Sequence, residues 1–162
     1  MLINDGIPRA EDIAKITPPD ERMDKGAVVV VECFQEIPCD PCVTACKRGA
    51  ITMPSGINDI PVVDFDLCNG CSLCISWCPG LAIFVVDKTW SDEFALIMLP
   101  YEYVPVPEKG QMVAGLDRAG EKLGNFEVIR AKSGGKKNKT WTISIAVPKE
   151  LAMEVRGIEI ND

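Results

Sequence analysis

The stretch that decides the fold reads Cys68-Asn69-Gly70-Cys71-Ser72-Leu73-Cys74-Ile75-Ser76-Trp77-Cys78-Pro79. Two residues lie between the first and second cysteines and two between the second and third, whereas three residues lie between the third and the fourth. Three thiolates at this spacing can wrap around one compact metal centre, with backbone N–H groups turned toward the sulfur atoms. Pro79 can end the helical turn that follows, and it leaves no N–H to satisfy there. The stretch therefore predicts a metal centre ligated by sulfur.

Four more cysteines precede this stretch, and the sequence around them repeats the same order of features. The earlier set comprises Cys33, Cys39, Cys42 and Cys46. In each half, a predicted strand (Ala27–Val31 or Pro61–Phe65) leads into the cysteines, a short helix follows the third cysteine, and another strand comes after the fourth. Such self-similarity indicates duplication and predicts a fold with pseudo-twofold symmetry.

The composition restricts the chemistry and the cellular setting. The 162 residues contain no histidine and carry a net charge of −7, which argues against nucleic-acid binding. The longest apolar segments, Leu81–Val86 and Phe94–Leu99, are too short to span a bilayer, and the first residues show no secretory signal. These features predict a cytoplasmic protein without a membrane span, in which reduced, clustered cysteines bind a metal centre through sulfur.

The run from Cys68 to Pro79 resembles the cysteine motif of bacterial-type ferredoxins, which carry two [4Fe-4S] clusters, and the resemblance covers roughly residues 27–88. It implies crossed ligation, in which each half lends its fourth cysteine to the cluster of the other half. The implied ligands of cluster I are Cys33, Cys39, Cys42 and Cys78. The implied ligands of cluster II are Cys68, Cys71, Cys74 and Cys46.

The first half departs from the family's motif in two places. Five residues instead of two separate Cys33 from Cys39, and Lys47 instead of proline follows Cys46. A longer loop can still reach a cubane, because a few extra residues add little to the entropy of loop closure. The departure leaves open a variant in which cluster I lacks one iron or Asp40 supplies an oxygen ligand.

Zinc and disulfides are the alternative uses of these cysteines. Structural zinc sites with four thiolates usually come from two separated CxxC pairs, whereas Cys71 belongs to two CxxC units at once. Disulfide frameworks are typical of small secreted proteins rather than of cytoplasmic ones. Both alternatives stay open, as does a cluster with a purely structural role. Two clusters in one small domain favour electron conduction.

The sequence predicts an α+β protein in three parts. These are a polar N-terminal arm (residues 1–26), a pseudo-twofold 2[4Fe-4S] ferredoxin domain (27–90) and a small antiparallel β-barrel or sandwich (91–162). In the last part, alternating apolar and polar residues predict a strand that starts at Trp141. The other predicted strands are Ala95–Leu99, Tyr101–Val106, Gln111–Ala114 and Phe126–Ala131, and the predicted helices are Ala10–Ile16 and Pro148–Val155.

No nucleophile–base pair, phosphate-binding loop or flavin motif is visible, so the sequence predicts no substrate-converting site. The predicted function is that of an electron-transfer iron–sulfur subunit of a larger oxidoreductase. The chain is similar in general organisation to the ferredoxin-like subunits that accompany FAD-dependent amino-acid dehydrogenases, such as proline or hydroxyproline dehydrogenases. That resemblance implies a hetero-oligomer with flavin-containing or other oxidoreductase subunits. A freely diffusing ferredoxin and a binding module with a structural cluster or zinc are the alternatives.

Overall fold

The computed structural model describes residues 2–161, so Met1 of the predicted arm and Asp162 of the predicted C-terminal part lie outside the described residues. The strands are β1 (Val28–Val31), β2 (Ile51–Thr52), β3 (Val62–Val63), β4 (Ile83–Asp87), β5 (Phe94–Tyr101), β6 (Met112–Leu116), β7 (Lys122–Ser133), β8 (Trp141–Pro148) and β9 (Gly157–Ile160). The helices are α1 (Leu2–Asp5), α2 (Ala10–Ile16), α3 (Asp20–Met23) and α4 (Pro41–Ala45), with 3₁₀ turns at Ile75–Trp77 and Lys149–Leu151. Among the described residues, no helix is long and apolar enough to cross a bilayer.

Seven strands form one antiparallel sheet in the order β1-β4-β5-β8-β7-β6-β9, and β2 pairs separately with β3. β4 and β5 lie on either side of residue 90, where the sequence predicts a domain boundary, and they pair through Val85 and Met98. Strands from both predicted domains therefore share one sheet. The division into two domains, and the barrel or sandwich in the second, stays a prediction.

The strands around the cysteines pair across the two halves of the repeat. β1 precedes the first set of cysteines and pairs antiparallel with β4, which follows the second set. In the same way, β2 follows the first set and pairs with β3, which precedes the second. Each half is thus hydrogen-bonded to the other at both ends, and the two cysteine loops are held side by side.

β1 and β4 are buried on both faces, which accounts for their continuous apolar sequences. On one face, Val29 and Val85 pack with the cysteine-bearing loops. On the other face, Val30 and Val86 pack with residues from β5 to β9. These two strands are therefore a shared wall between the cysteine region and the rest of the sheet.

Local side-chain chemistry explains where the predicted elements differ from the observed ones. The strand predicted at Pro61–Phe65 shrinks to two residues, because the Asp64 carboxylate accepts hydrogen bonds from the backbone N–H groups of Asp66 and Leu67 and starts a turn. The strand predicted at Tyr101–Val106 is wrong. β5 has already ended, and the chain folds back so that the hydroxyl of its last residue donates to the carbonyl of Pro105.

The C-terminal helix predicted at Pro148–Val155 is also wrong. Pro148 continues the β5–β8 ladder opposite Phe94, and only a 3₁₀ turn follows. The Arg156 guanidinium then donates to the carbonyl oxygens of Ala152 and Val155 and satisfies them where the turn ends. By contrast, the helix predicted at Ala10–Ile16 and the strand predicted from Trp141 are confirmed as α2 and β8.

A buried ion-pair triad joins the two ends of the seven-stranded sheet. Glu32 directly follows β1 at one end, and Arg156 directly precedes β9 at the other. Arg118, between β6 and β7, binds Glu32 through two hydrogen bonds of 2.9 and 2.7 Å, and Arg156 binds the same carboxylate. Burial disfavours the charged carboxylate, but the two guanidinium groups outweigh it and hold the pKa of Glu32 below its usual value.

We expect Glu32→Gln to destabilise the protein by about 3 kcal/mol, because it leaves two buried guanidinium groups without their carboxylate. Since the pKa of Glu32 is lowered in the folded state, this contribution is complete above the unfolded value of about 4.5 and is lost as the pH falls through the folded value. Denaturant unfolding at pH 7, followed by circular dichroism, measures the effect.

The matched control is Asp20→Asn, which breaks an exposed contact between Asp20 and Lys88 at 3.5 Å. Exposed pairs contribute less than about 1 kcal/mol, so the control variant should unfold close to the wild type. Equal destabilisation by the two variants would contradict a structural role for the triad.

Candidate iron–sulfur centres

The eight cysteines are all free thiols, and they line two separate cavities. Cavity I is lined by Cys33, Cys39, Cys42 and Cys78. Cavity II is lined by Cys46, Cys68, Cys71 and Cys74. Each cavity thus receives three cysteines from one run and the last cysteine of the other run. These are the two groups that the ferredoxin resemblance implies, and the ligand assignment itself stays a prediction.

The last cysteine of each run reaches the opposite cavity from the end of a short helical segment. Cys46 is the C-cap of α4, and Cys78 is the C-cap of the 3₁₀ turn Ile75–Trp77. The two helical segments pack against each other between the cavities. A helical turn in each run therefore carries the chain from one cavity to the other, which places the fourth cysteine beside its partners from the other half.

A backbone amide approaches the sulfur of each crossing cysteine in the same way. The N–H of Ala50 donates to Cys46 Sγ at 3.3 Å, and the N–H of Ala82 donates to Cys78 Sγ at 3.5 Å. In both cases the preceding residue has a positive φ, 67° at Gly49 and 51° at Leu81. The left-handed residue turns the next N–H back toward the sulfur. Amide hydrogen bonds to ligand sulfur are one way in which proteins set cluster potentials.

The pKa values of the thiols reflect their grouping. Burial, and then the nearby Cys78 thiol, raises the pKa of Cys42 to about 11. Burial, and then the Cys68 and Cys71 thiols, raises the pKa of Cys74 to about 12. Burial is the main cause of both raised values, and the neighbouring thiols of the same cavity add to it, because a thiolate disfavours a second thiolate beside it. Metal binding requires thiolates and therefore releases protons.

The pKa of Cys46 shifts in the opposite direction from the pKa values of Cys42 and Cys74. Burial disfavours its thiolate, but the backbone N–H groups of residues 48–51 outweigh burial and lower the pKa of Cys46. The sequence gives little sign of this effect, because it depends on the direction of four amides rather than on side-chain type.

Gly70 allows the second cysteine loop to pass close to the start of β1. It has a φ of 67°, and its N–H donates to Cys68 Sγ at 3.4 Å. A Cβ at this position would lie 2.3 Å from Cβ of Ala27 and 2.7 Å from that residue's carbonyl group. Backbone cannot yield as a flexible side chain can, so the close approach requires glycine.

Two arginines outside the cysteine motif hold the loop that enters cavity II. Arg22, at α3, donates to the carbonyl oxygens of Phe65 and Cys68 at 2.7 and 2.6 Å. Arg48 donates to the carbonyl oxygen of Leu67 at 2.8 Å and also lines cavity II. Sequence analysis missed Arg22, which lies 46 residues before the carbonyl that it binds and belongs to no recognisable motif.

The structure does not bring Asp40 into cavity I. Its side chain is exposed at the N-cap of α4, whereas Cys33 lines the cavity despite the longer spacing to Cys39. Trp77, beside Cys78, is also half-exposed rather than packed in the core. The donor side chains that line cavity I are therefore its four thiols.

Part of the chain is similar to a curated protein. It is 35% identical over 63 residues to the ferredoxin-type protein NapF of Haemophilus influenzae, and the match covers 36% of this chain and 36% of that protein. The chain therefore spans only about a third of this relative's length. No family model and no solved structure matches. The match supports a ferredoxin-like iron–sulfur protein.

We expect Gly70→Ala to reduce the iron content and the stability of the anaerobically purified protein, because the new Cβ overlaps the backbone before β1. Gly49→Ala is the matched control, since Gly49 has the same φ of 67° but nothing within 4 Å of an added Cβ. Both variants place alanine in a left-handed backbone conformation, but only Gly70→Ala also creates a steric overlap. The difference between them in iron content and in melting temperature therefore measures the effect of the overlap. Equal losses in both would contradict the role of close approach.

We also expect the cluster-free chain at pH 8 to be alkylated by iodoacetamide at Cys46 at least about 100-fold faster than at Cys42 or Cys74. The reagent attacks thiolates, and a group with a pKa of about 11 or 12 is almost fully protonated at this pH. Mass spectrometry of timed samples gives the order of modification. In denaturant the three rates should converge, and a native order with Cys74 first would refute the prediction.

Proposed function

We propose that the chain is an electron-transfer protein in which cavities I and II each hold one [4Fe-4S] cluster. The observation that carries the proposal is the grouping of the cysteines: two cavities, four thiols in each, and one thiol of each quartet supplied by the opposite run. The similarity of part of the chain to a ferredoxin-type protein supports the same cofactor class. Cysteine quartets are the usual ligands of such clusters.

The spacing of the thiols favours a cluster over a single zinc ion. Zinc draws four sulfurs to about 2.3 Å from one point. Among residues 2–161, no three His, Cys, Asp or Glu side chains are grouped closely enough to hold one metal ion.

The residues of the chain hold, shield and polarise such a group. Cys33, Cys39, Cys42 and Cys78 would ligate the cluster of cavity I, and Cys46, Cys68, Cys71 and Cys74 that of cavity II. Valine, isoleucine and proline side chains line the remaining walls of cavity I and limit water access there. The amides of Ala50, Gly70 and Ala82 donate to ligand sulfurs. When bound, the clusters supply one-electron redox chemistry.

We further propose that the chain works as a fixed subunit of a larger oxidoreductase, beside flavin-containing or other redox subunits. Supporting this, its described strands β5–β9 and helices α1–α3 lie outside the repeat that forms the two cavities. The first of these strands is hydrogen-bonded to β4 of the repeat, so the additional strands are built onto the cysteine region. A free ferredoxin that shuttles between partners is the alternative, and recovery of the tagged chain from its host distinguishes the two.

We expect the anaerobically purified protein to contain about eight iron atoms and as many sulfides per chain. After reduction with dithionite, the EPR spectrum should show two interacting paramagnetic centres, because α4 and the 3₁₀ turn Ile75–Trp77 each link a cysteine of one quartet to a cysteine of the other. Metal analysis provides the check on zinc. Colourless protein that contains zinc and no iron would refute the proposal.

The crossed arrangement predicts which thiols lose protection when one ligand is removed. In Cys46→Ser, we expect Cys68, Cys71 and Cys74 to become alkylated under native anaerobic conditions, while the quartet of cavity I stays protected. Cys78→Ser is the reciprocal control and should expose the three remaining thiols of cavity I. Mass spectrometry of the alkylated peptides reads out both. Exposure of Cys33, Cys39 and Cys42 in Cys46→Ser would instead indicate that each run binds its own cluster.

A further inference from the structure

The loop of cavity II reaches the protein surface at one edge. Cys71 is exposed, the neighbouring Leu73 is 40% exposed, and both line cavity II. Trp77 is 52% exposed on the 3₁₀ turn between the two cavities. An apolar side chain is thus exposed beside the thiols of cavity II, and a large aromatic one is exposed beside Cys78 of cavity I. Apolar and aromatic residues that surround a buried redox group are suitable for the centre of a protein–protein contact.

The hairpin between β7 and β8 is attached to this edge. Its Asn138 side chain donates to the carbonyl oxygen of Ser76 at 2.5 Å, within the same 3₁₀ turn. The Oδ1 atom of the same Asn138 side chain accepts a hydrogen bond from the backbone N–H of Thr140 at 3.0 Å. The backbone N–H of Gly134 donates to the carbonyl oxygen of Thr140 at 3.0 Å. These bonds fix the hairpin against the turn that carries Trp77.

The hairpin and the adjoining part of β7 carry a group of cations that we call the basic surface: Arg130, Lys132, Lys136, Lys137 and Lys139. All five are exposed, and none makes an ion pair with another residue of the described range. In the register, Arg130 lies opposite Ser144 and Lys132 opposite Thr142. These four residues line a groove together with Cys71.

A local positive surface is notable because the whole chain carries a charge of −7. Five like charges without partners repel one another and add nothing to folding, whereas a facing group of carboxylates would pair with them. Complementary charge at a contact mainly sets orientation and the rate of association. The basic surface lies beside the exposed edge of cavity II, where orientation matters for electron exchange.

We propose that the basic surface is the docking site for an acidic surface of a redox partner protein, which brings that partner's redox centre to the exposed edge of cavity II. This inference rests on the proposed electron-transfer function and adds the route and the chemistry of the partner. The transfer step moves one electron from the reduced chain to the partner, and no bond forms or breaks.

The test uses the full-length protein with its clusters and, as the probe, oxidised rubredoxin, a small acidic iron protein. Water-soluble carbodiimide joins lysine amines to carboxylates that are in contact. At low ionic strength, we expect cross-linked peptides at Lys136, Lys137 and Lys139. The variant with K136Q, K137Q and K139Q lacks the reacting amines and is therefore kept for the kinetic comparison, whereas added salt should suppress these products in the wild type. The control with K109Q, K122Q and K149Q removes the same charge elsewhere on the chain and should keep them.

A kinetic measurement on the same samples tests the electrostatic argument. Stopped-flow mixing of the dithionite-reduced chain with oxidised rubredoxin follows the one-electron reduction of the rubredoxin iron from ferric to ferrous. Two acidic proteins without a local attraction should react faster as salt is added, because salt screens their repulsion. We expect the wild type to react more slowly as salt is added. We also expect the hairpin variant to be about tenfold slower than the control variant at low salt.

The outcomes separate the docking surface from the proposed function. Reduction of rubredoxin at a rate that rises with salt, or that both variants lower equally, would overturn the docking surface and leave electron transfer standing. A protein with intact clusters that reduces neither rubredoxin nor the basic probe cytochrome c would overturn the function itself. If light scattering shows a dimer that only the hairpin substitutions dissociate, a second copy of the chain occupies this surface and the proposal fails.

Discussion

The structure depends on antiparallel pairing between the strand that enters the first cysteine loop and the strand that leaves the second. β1 and β4 place Val31 opposite Ile83, so Cys33 follows one strand at the point where Cys78 precedes the other. Without this pairing, Cys78 would remain with its own run and cavity I would have three thiols. The two strands exclude water on both faces, which makes the pairing strong in a region that is otherwise loop.

Residues outside the repeat stabilise this arrangement from both sides. Arg22 binds the carbonyl of Cys68 from the N-terminal side. Glu32, next to Cys33, is held by Arg118 and Arg156 from the C-terminal side. Each contact satisfies a polar group close to a cysteine loop, where few regular hydrogen bonds are available. The cysteine loops are therefore held by charged groups that lie far away in sequence.

The ferredoxin resemblance implied the two cysteine groups that line cavities I and II, and their role as ligands stays a prediction. The four-residue run of valines marks a buried strand, which is β1. The sequence did not allow the sheet to be predicted in full. The predicted strands end at Leu99 and restart at Tyr101, yet Pro100 pairs with Thr142 inside β5, where the β4 ladder has already ended and no N–H is needed on that side. Arg22 and the ion-pair triad were missed because such contacts depend on tertiary structure and leave no periodic pattern.

Strands β5–β8 cover part of the cysteine region with apolar side chains and also carry positively charged side chains near it. Met98 of β5 packs on the cysteine side of the sheet, while Ile97 beside it faces the other core. The same face continues across β8 to Arg130 and Lys132 of β7, and the hairpin beyond them contacts Ser76. This face of the sheet is therefore apolar at Met98, where it packs on the cysteine region, and becomes polar and cationic at Arg130 and Lys132. Because pleat alternation assigns these residues to one face, the cover over the cysteine region and the cationic groups lie on the same side of the sheet.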